Sequence, residues 1–326
     1  MVICFSSFSL TALLTKACEI NQVSPTYIEP SMEKQAPEAA PLAHSLSVEQ
    51  KAQFEKDGAY GDQQYLVLPP ISSEVSHSIM TWANEVKNLP HHPNSSWMHY
   101  EEITPTGQRI LCRTEHFADH HEGFNKLFRG REILDILEEL SGEEMVLFKE
   151  KINYKAPKAG GFRPHLDAPS YRHLGNVKHL SILIAVEPAT IENGCLEVIV
   201  GSHKMSVPIG TDVCIEQEWC DQQNWNFQHE TPVPLNTGEM LIFGSYMAHR
   251  SGPNNSDQGR AAIYATYNAL SDGGDTRSEY YANRRKLWPP TADRVPGERY
   301  EEGARLYGFG SPMLTVEENG YANVGL

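Results

Sequence analysis

The sequence predicts a mainly β protein with peripheral helices, built on a double-stranded β-helix core, a jelly roll of cupin-like type. Three observations predict it. From Met145 onward, short apolar or alternating runs recur at 145–154, 177–187, 194–200, 239–245 and 260–268. Gly, Pro and Asn separate these runs, which is the texture of many short strands joined by turns. Helical signals are concentrated upstream, where apolar residues at 133, 134, 136, 137 and 140 share one face.

Taken in order, residues 1–45 read as a leader or arm. The first twenty are apolar without a basic start, too short to span a bilayer, and compatible with an organelle-targeting leader. Residues 21–45 are rich in proline and poor in large apolar groups. Ser47 and Gln50 form a capping box for a helix running to about Asp57, where Gly58 stops it. Gln64 to Leu68 reads as a strand, and Ser73 to Lys87 as a second helix ended by Pro90. Residues 91–128 read as irregular and hold six histidines. The chain then divides into a helical layer (46–142), a jelly-roll core (145–270) and a polar, turn-rich tail (271–326) that wraps the barrel. One domain, 46–326, is the simplest organisation.

The net charge is −15 and the pI about 5.4. A broad positive field is missing, so nucleic acid and anionic membranes are not expected partners, whereas a small anionic ligand remains compatible. Six scattered cysteines without a CxxC pair read as reduced thiols. The cytoplasm is the default location. Oligomeric state is not legible.

The candidate site begins at His165-Leu166-Asp167. Residues two apart in a strand project to one face, so His165 and Asp167 can reach one metal ion. Gly160-Gly161 and Pro164 shape the approach. His249 follows the run GEMLIFGSYMAH, read as a strand that delivers the histidine at its end. Two histidines and one carboxylate leave three positions open on octahedral iron(II), two for a chelating 2-oxo acid and one for oxygen. Arg260, eleven residues after His249, is expected to open the next strand, antiparallel to the one bearing His249. Its guanidinium suits the distal carboxylate of 2-oxoglutarate.

These residues resemble the phytanoyl-CoA dioxygenase family of iron(II)/2-oxoglutarate oxygenases. The likeness is carried by His165-Leu166-Asp167, the segment Glu192 to Ile199 (ENGCLEVI), the turn Gly201-Ser202-His203-Lys204, and His249 with Arg260. The family's usual motif has Gln where Leu166 stands. The runs 148–155 (FKEKINYK) and 279–285 (EYYANRR) are similar to the branch that includes 2-aminoethylphosphonate dioxygenases.

The resemblance implies a double-stranded β-helix that hydroxylates an unactivated C–H of a small molecule, or of an acyl-CoA in the type member, while 2-oxoglutarate becomes succinate and CO2. It implies Fe(2+), 2-oxoglutarate and O2, with ascorbate as a candidate reductant. Asp167, being a carboxylate, marks a hydroxylase rather than a halogenase. Asn153 and Ser181 fall where the family contacts the co-substrate. For the substrate, Arg113 and Arg163 are candidates to meet an anionic group and Tyr171 to cover the entrance. Arg109 reads as the partner of an acid among Glu101, Glu102 and Glu115. His203 reads as shaping its turn. Two alternatives stay open: a cupin-like metalloenzyme that does not use 2-oxoglutarate, and a non-catalytic small-molecule-binding barrel.

Overall fold

A reciprocal capping box opens the ordered chain. The Ser47 amide donates to Gln50 Oε1 at 2.8 Å and the Gln50 amide donates to Ser47 Oγ at 3.1 Å, which fixes the start of helix α1 (Val48–Glu55). The computed structural model describes residues 46–318 apart from 56–64, 176–178, 226–230 and 296. The arm at 1–45, the end of the first expected helix and the start of the Gln64 strand lie outside the described residues. Strand β1 (Tyr65–Leu68) follows. Helix α2 (Ser73–Lys87) starts where Ser72 Oγ accepts from the Val75 amide, and it buries Ile79, Ala83 and Val86.

Segment 91–128 departs from the sequence expectation. It forms the hairpin β2 (Met98–Ile103) and β3 (Arg109–Glu115) and helix α3 (Glu122–Arg129). Its strands were not legible because both faces are buried: β2 carries His99, Glu101 and Glu102 inside the protein, so apolar and polar residues do not alternate. Helix α4 (Arg131–Ser141) lies where the one-faced pattern put it, closed by left-handed Gly142 at φ 73°.

The remaining strands are β4 (Met145–Lys155), β5 (Phe162–His165), β6 (His179–Ala185), β7 (Leu196–Val198), β8 (Thr231–Val233), β9 (Met240–Gly244), β10 (His249–Ser251) and β11 (Arg260–Ala269). They form a seven-stranded sheet in the order β1-β9-β6-β11-β4-β3-β2 and a four-stranded sheet in the order β5-β10-β7-β8, and every pairing is antiparallel. The tail holds a helix the sequence reading did not place, α5 (Arg277–Leu287), which buries Arg277, Tyr280, Tyr281 and Arg284.

Two apolar layers follow from this arrangement. Ile152, Tyr154, Ile182, Ile184 and Ile263 on the outer face of the large sheet pack with Ile79, Phe124, Ile133 and Leu137 of the helices. On the inner face, Leu183, Ala185, Leu241, Phe243 and Ala262 meet Leu196, Val198 and Val233 of the small sheet. Hydrocarbon thus joins the two sheets, and the inner face of β4 carries Lys149, Lys151, Asn153 and Lys155 beside it. Among the described residues, no helix is long and apolar enough to cross a membrane, and Cys112, Cys195, Cys214 and Cys220 are buried free thiols.

Candidate metal centre and its pocket

His165 is the last residue of β5 and His249 the first of β10, and the two are register partners. His249 thus does not end the GEMLIF strand as expected; that strand stops at Gly244, and the chain crosses into the other sheet before His249. The close pairing needs Gly161, where an added Cβ would lie 2.4 Å from the Ser251 carbonyl oxygen. Asp167 sits just past the end of β5. Leu166, between the two ligand candidates, points into a separate apolar cluster with Ile215, Trp225 and Ala248.

The result is a buried group of three ligand atoms, from His165, Asp167 and His249, all within 4.8 Å of one another. The histidine rings are 4.2 Å apart between centroids, and His165 Nε2 is 3.9 Å from Asp167 Oδ1. Each imidazole is held from behind: His165 Nδ1 lies 2.7 Å from the Arg163 carbonyl oxygen and His249 Nδ1 lies 2.9 Å from that of Met247. A carbonyl can only accept, so each Nδ1 carries the proton and each Nε2 presents a lone pair to the centre. Burial, and then the neighbouring His249, push the His165 pKa down to about 3; burial also lowers that of His249. Both rings are neutral, as metal ligands must be. Burial opposes the charge on Asp167, but His249, Lys151, Lys149 and His165 outweigh it and hold the carboxyl far below its ordinary range. Two neutral imidazoles and one carboxylate on one side of a cavity fit iron(II) with cis positions left open.

The motif at 192–204 braces this group. Glu197 Oε2 accepts from Arg250 Nε at 2.6 Å, next to His249, and Arg250 Nη1 donates to the Trp225 carbonyl. The Ala248 amide donates to Ser202 Oγ at 2.8 Å. Gly194 adopts φ 73°, and a Cβ there would press on the Gly252 carbonyl oxygen at 2.3 Å, so the position requires glycine.

Arg260 opens β11, as expected, yet β11 pairs with β4 and β6 in the large sheet and not with the strand of His249. Its Nε donates to the Asn193 carbonyl at 3.1 Å and its Nη2 to that of Gly194. Among the described residues it meets no carboxylate within ion-pair distance. Its register partner Lys155 donates to the Gly194 and Gly252 carbonyls and to Ser251 Oγ at 3.0 Å. Two buried cations thus rest on backbone carbonyls and one hydroxyl at this end of the barrel. Asn153 and Ser181 lie on the same inner face. Asn153 Oδ1 accepts from Arg113 Nε at 2.8 Å, and Ser181 Oγ is 2.9 Å from Thr266 Oγ1.

A pocket opens on His165 and Asp167, with Arg113, Glu115, Lys149, Lys151 and Phe162 in its wall. Tyr280 and Arg284 of α5, and Tyr307, Phe309 and Ser311 beyond it, complete the lining. Phe309 stands edge-on to His165 at 5.7 Å. Two of the three substrate candidates move. Arg163 does not line the pocket: its side chain is 61% exposed and pairs with Asp212 at 2.8 Å, because its neighbour Pro164 and the register of β5 turn it outward. Tyr171 does not cover an entrance; it is fully buried behind Lys149, packed on Phe148 and His179. Arg113 does line the pocket, tied to Asn153 and, at 3.2 Å, to Glu115. Arg109 pairs with Glu101 at 2.7 Å, one of the three acids expected.

The residues that sequence reasoning missed are Lys149 and Lys151. Burial lowers the Lys149 pKa to about 8 and that of Lys151 well below its ordinary value. The signal was present: Lys149, Lys151, Asn153 and Lys155 recur every second residue in one strand whose other face carries Ile152 and Tyr154. A strand with one face in the core cannot send the opposite face to solvent when that face lies inside a barrel.

Fold and site together define a class, the non-haem iron oxygenases that use 2-oxoglutarate as co-substrate. The sequence matches the phytanoyl-CoA dioxygenase (PhyH) family over residues 65–262, and the chain belongs to that family. Among its relatives, a 2-aminoethylphosphonate dioxygenase from an uncultured bacterium is 33% identical over 81% of this chain and 97% of its own length. A methylphosphonate hydroxylase from Gimesia maris is 39% identical over 72% of this chain and 87% of its own. In fold, the chain is similar to EctD from S. alaskensis, solved with 2-oxoglutarate and 5-hydroxyectoine. That likeness has a TM-score of 0.59 at 20% identity, over 74% of this chain and 87% of EctD. The protein is an iron(II)/2-oxoglutarate-dependent dioxygenase.

Proposed function

We propose that this dioxygenase hydroxylates a C–H bond of a small anionic organic molecule, with iron held by His165, Asp167 and His249 and 2-oxoglutarate anchored by Arg260. One observation carries the reading: two imidazole Nε2 atoms and a carboxylate converge in a buried pocket while a buried guanidinium nearby meets only carbonyls. Bound there, iron with 2-oxoglutarate and O2 supplies the oxidising chemistry, the oxo acid leaving as succinate and CO2 while a hydroxyl group enters the substrate.

The chain's own residues do the rest. The Arg163 and Met247 carbonyls fix both imidazoles in the ligating tautomer. Arg260 exchanges weak carbonyl contacts for a two-pronged carboxylate bond, which favours binding of a dicarboxylate. Ser251 Oγ and Lys155, on the same carbonyl cluster, complete that end. Phe309 and Tyr307 roof the centre and limit access of water. The anionic character of the substrate is supported by the cations in the wall and by the substrates named for two relatives, both organophosphonates.

The test measures succinate formed from 2-oxoglutarate by the iron-loaded protein in air. A panel containing 2-aminoethylphosphonate, methylphosphonate, uncharged alcohols and acyl-CoA thioesters is added in turn. Stimulation by a small anion, with a product heavier by one oxygen atom, is expected. Stimulation by acyl-CoA or a neutral compound alone would defeat the substrate reading. Failure to bind iron(II) or to consume 2-oxoglutarate would defeat the assignment of the ligands.

A further inference from the structure

Cations buried in this protein are almost all matched by oxygen. Arg277 meets Glu150 and Asp119, Arg284 meets Glu115, Arg250 meets Glu197, and Lys155 sits on two carbonyls and a hydroxyl. Lys149, buried, and Lys151, half-buried, break the pattern. Neither ammonium has a hydrogen bond or ion pair to any described residue. Each rests on aromatic faces instead: Lys149 Nζ lies 4.6 Å from the centroid of Tyr171 and 5.6 Å from that of Tyr280, and Lys151 Nζ lies 4.8 Å from that of Tyr264. A ring face attracts a cation but leaves its three N–H donors unused. Both lysines line the pocket beside Asp167 and His165, and Lys149 is only 9% exposed.

Charge counting sharpens the point. The acids of the pocket wall are Glu115 and Asp167. Glu115 is taken by Arg284 at 2.6 Å and by Arg113 at 3.2 Å, and Asp167 belongs to the metal centre. The two ammonium groups are left without an acid of their own. The distal carboxylate of a co-substrate held at Arg260 does not account for them. Arg260 is in register with Lys155, whereas Lys151 is in register with Tyr264 and Lys149 with Thr266, four and six residues along the strand. At about 3.3 Å per residue those positions lie roughly 13 and 20 Å from Arg260, so a carboxylate paired with the guanidinium is not the partner of either ammonium.

We propose that Lys149 and Lys151 together form the seat for the substrate's anionic group, and that the seat is built for a doubly charged tetrahedral oxyanion such as a phosphonate in preference to a singly charged one. Resting on the oxygenase reading above, this adds the residues that recognise the substrate and the charge they select. The aromatic walls keep the two ammonium groups aimed at the pocket without neutralising them, so the ligand supplies the missing charge. A tetrahedral head with three oxygens can take donors from both lysines at once, and a planar carboxylate fills the same space less well.

The experiment titrates the full-length protein, loaded anaerobically with iron(II) and 2-oxoglutarate, with an isosteric series: 2-aminoethylphosphonate, 2-aminoethanesulfonate and β-alanine, alongside methylphosphonate and methanesulfonate. Binding is read by calorimetry and by the visible band of the iron–oxo-acid chelate, neither of which needs turnover. Phosphonates are expected to bind at least tenfold tighter than the matching sulfonates. Lys149→Met and Lys151→Met are each expected to weaken phosphonate binding by roughly tenfold to a hundredfold and to leave the 2-oxoglutarate Kd within about twofold. Lys→Arg at either position, which keeps the charge and guards against a folding artefact, recovers part of the loss. The proposal is overturned if phosphonate and sulfonate bind alike, if the Met variants bind phosphonate as the parent does, or if they weaken 2-oxoglutarate instead. No oxyanion binding by protein that still takes up iron and 2-oxoglutarate overturns this proposal and leaves the oxygenase reading standing.

Discussion

The row of lysines on the inner face of strand β4 treats one residue type in opposite ways at its two ends. At the C-terminal end, Lys155 gives its donors to the Gly194 and Gly252 carbonyls and Ser251 Oγ, and Arg260 beside it is held by the Asn193 and Gly194 carbonyls. Nearer the other end, Lys149 and Lys151 face a cavity with ring faces beside them and no oxygen to bond. The first end is braced polar architecture that can hand its donors to one carboxylate. The second is a pair of charges the fold leaves unsatisfied. The difference teaches that a buried cation is read by its partners and not by its burial.

The largest test strikes the centre between the two ends. Asp167→Ala is expected to abolish both turnover and iron(II) binding, because two imidazoles alone supply neither the charge nor the third ligand. An anaerobic iron titration checks it, and retained binding would leave the two ends with nothing between them.

Next, Arg260→Ala separates the ends by ligand. Truncating one member of a buried charge pair typically costs about 2–5 kcal/mol, so the KM for 2-oxoglutarate is expected to rise at least roughly 30-fold. The KM for the anionic substrate should move little. A larger effect on the substrate would mean that the ends have been exchanged.

A third test needs no ligand at all. Lys155→Met strands two carbonyls and a hydroxyl and is expected to destabilise the metal-free protein by on the order of 2 kcal/mol. Lys151→Met removes an unpaired, half-buried charge and is expected to leave stability unchanged or raise it by about 1 kcal/mol. Urea unfolding curves compare them, and equal losses would erase the contrast.

The smallest effect concerns a buried group outside the pocket. His99 Nε2 is 3.1 Å from the Leu89 carbonyl and Nδ1 is 2.8 Å from Thr114 Oγ1, a neutral arrangement in which the hydroxyl donates. Burial lowers its pKa to about 4 from an ordinary 6.5. Between those values the unfolded chain binds the proton and the folded chain does not, so stability from this group is present above pH 6.5 and is lost as pH falls toward 4. His99→Gln is expected to make the acid-side fall in Tm of the metal-free protein shallower, and a melting series from pH 7 to 4.5 records it.

Much of this molecule was legible before folding. The capping box at Ser47 and Gln50, helices α2 and α4, and the runs that became β4, β6, β7, β9 and β11 depend on local chemistry and on periods of two or 3.6 residues. Spacing and ligand type also singled out His165, Asp167, His249 and Arg260, although Asp167 lies past the end of β5 and the strand of Arg260 does not pair with that of His249. Strands β2 and β3 were not legible: both faces of β2 are buried, and Arg113 and Glu115 of β3 find partners on β4 and α5, far away in sequence, so no alternation marks them. Arg163 and Arg113 show the same limit. Both are arginines near the site, and only the register of β5 and β3 sends one to Asp212 and the other into the pocket.

The sequence by itself determined that this is a jelly-roll oxygenase and which four residues to examine, since ligand type, spacing and strand period are properties of neighbours along the chain. Only the tertiary structure decided that His165 and His249 face each other across β5 and β10, and that a tail helix closes the pocket. It also decided that two lysines stand there without a counter-charge. Those are matters of which surfaces meet, and burial and electrostatic balance exist only once they have met.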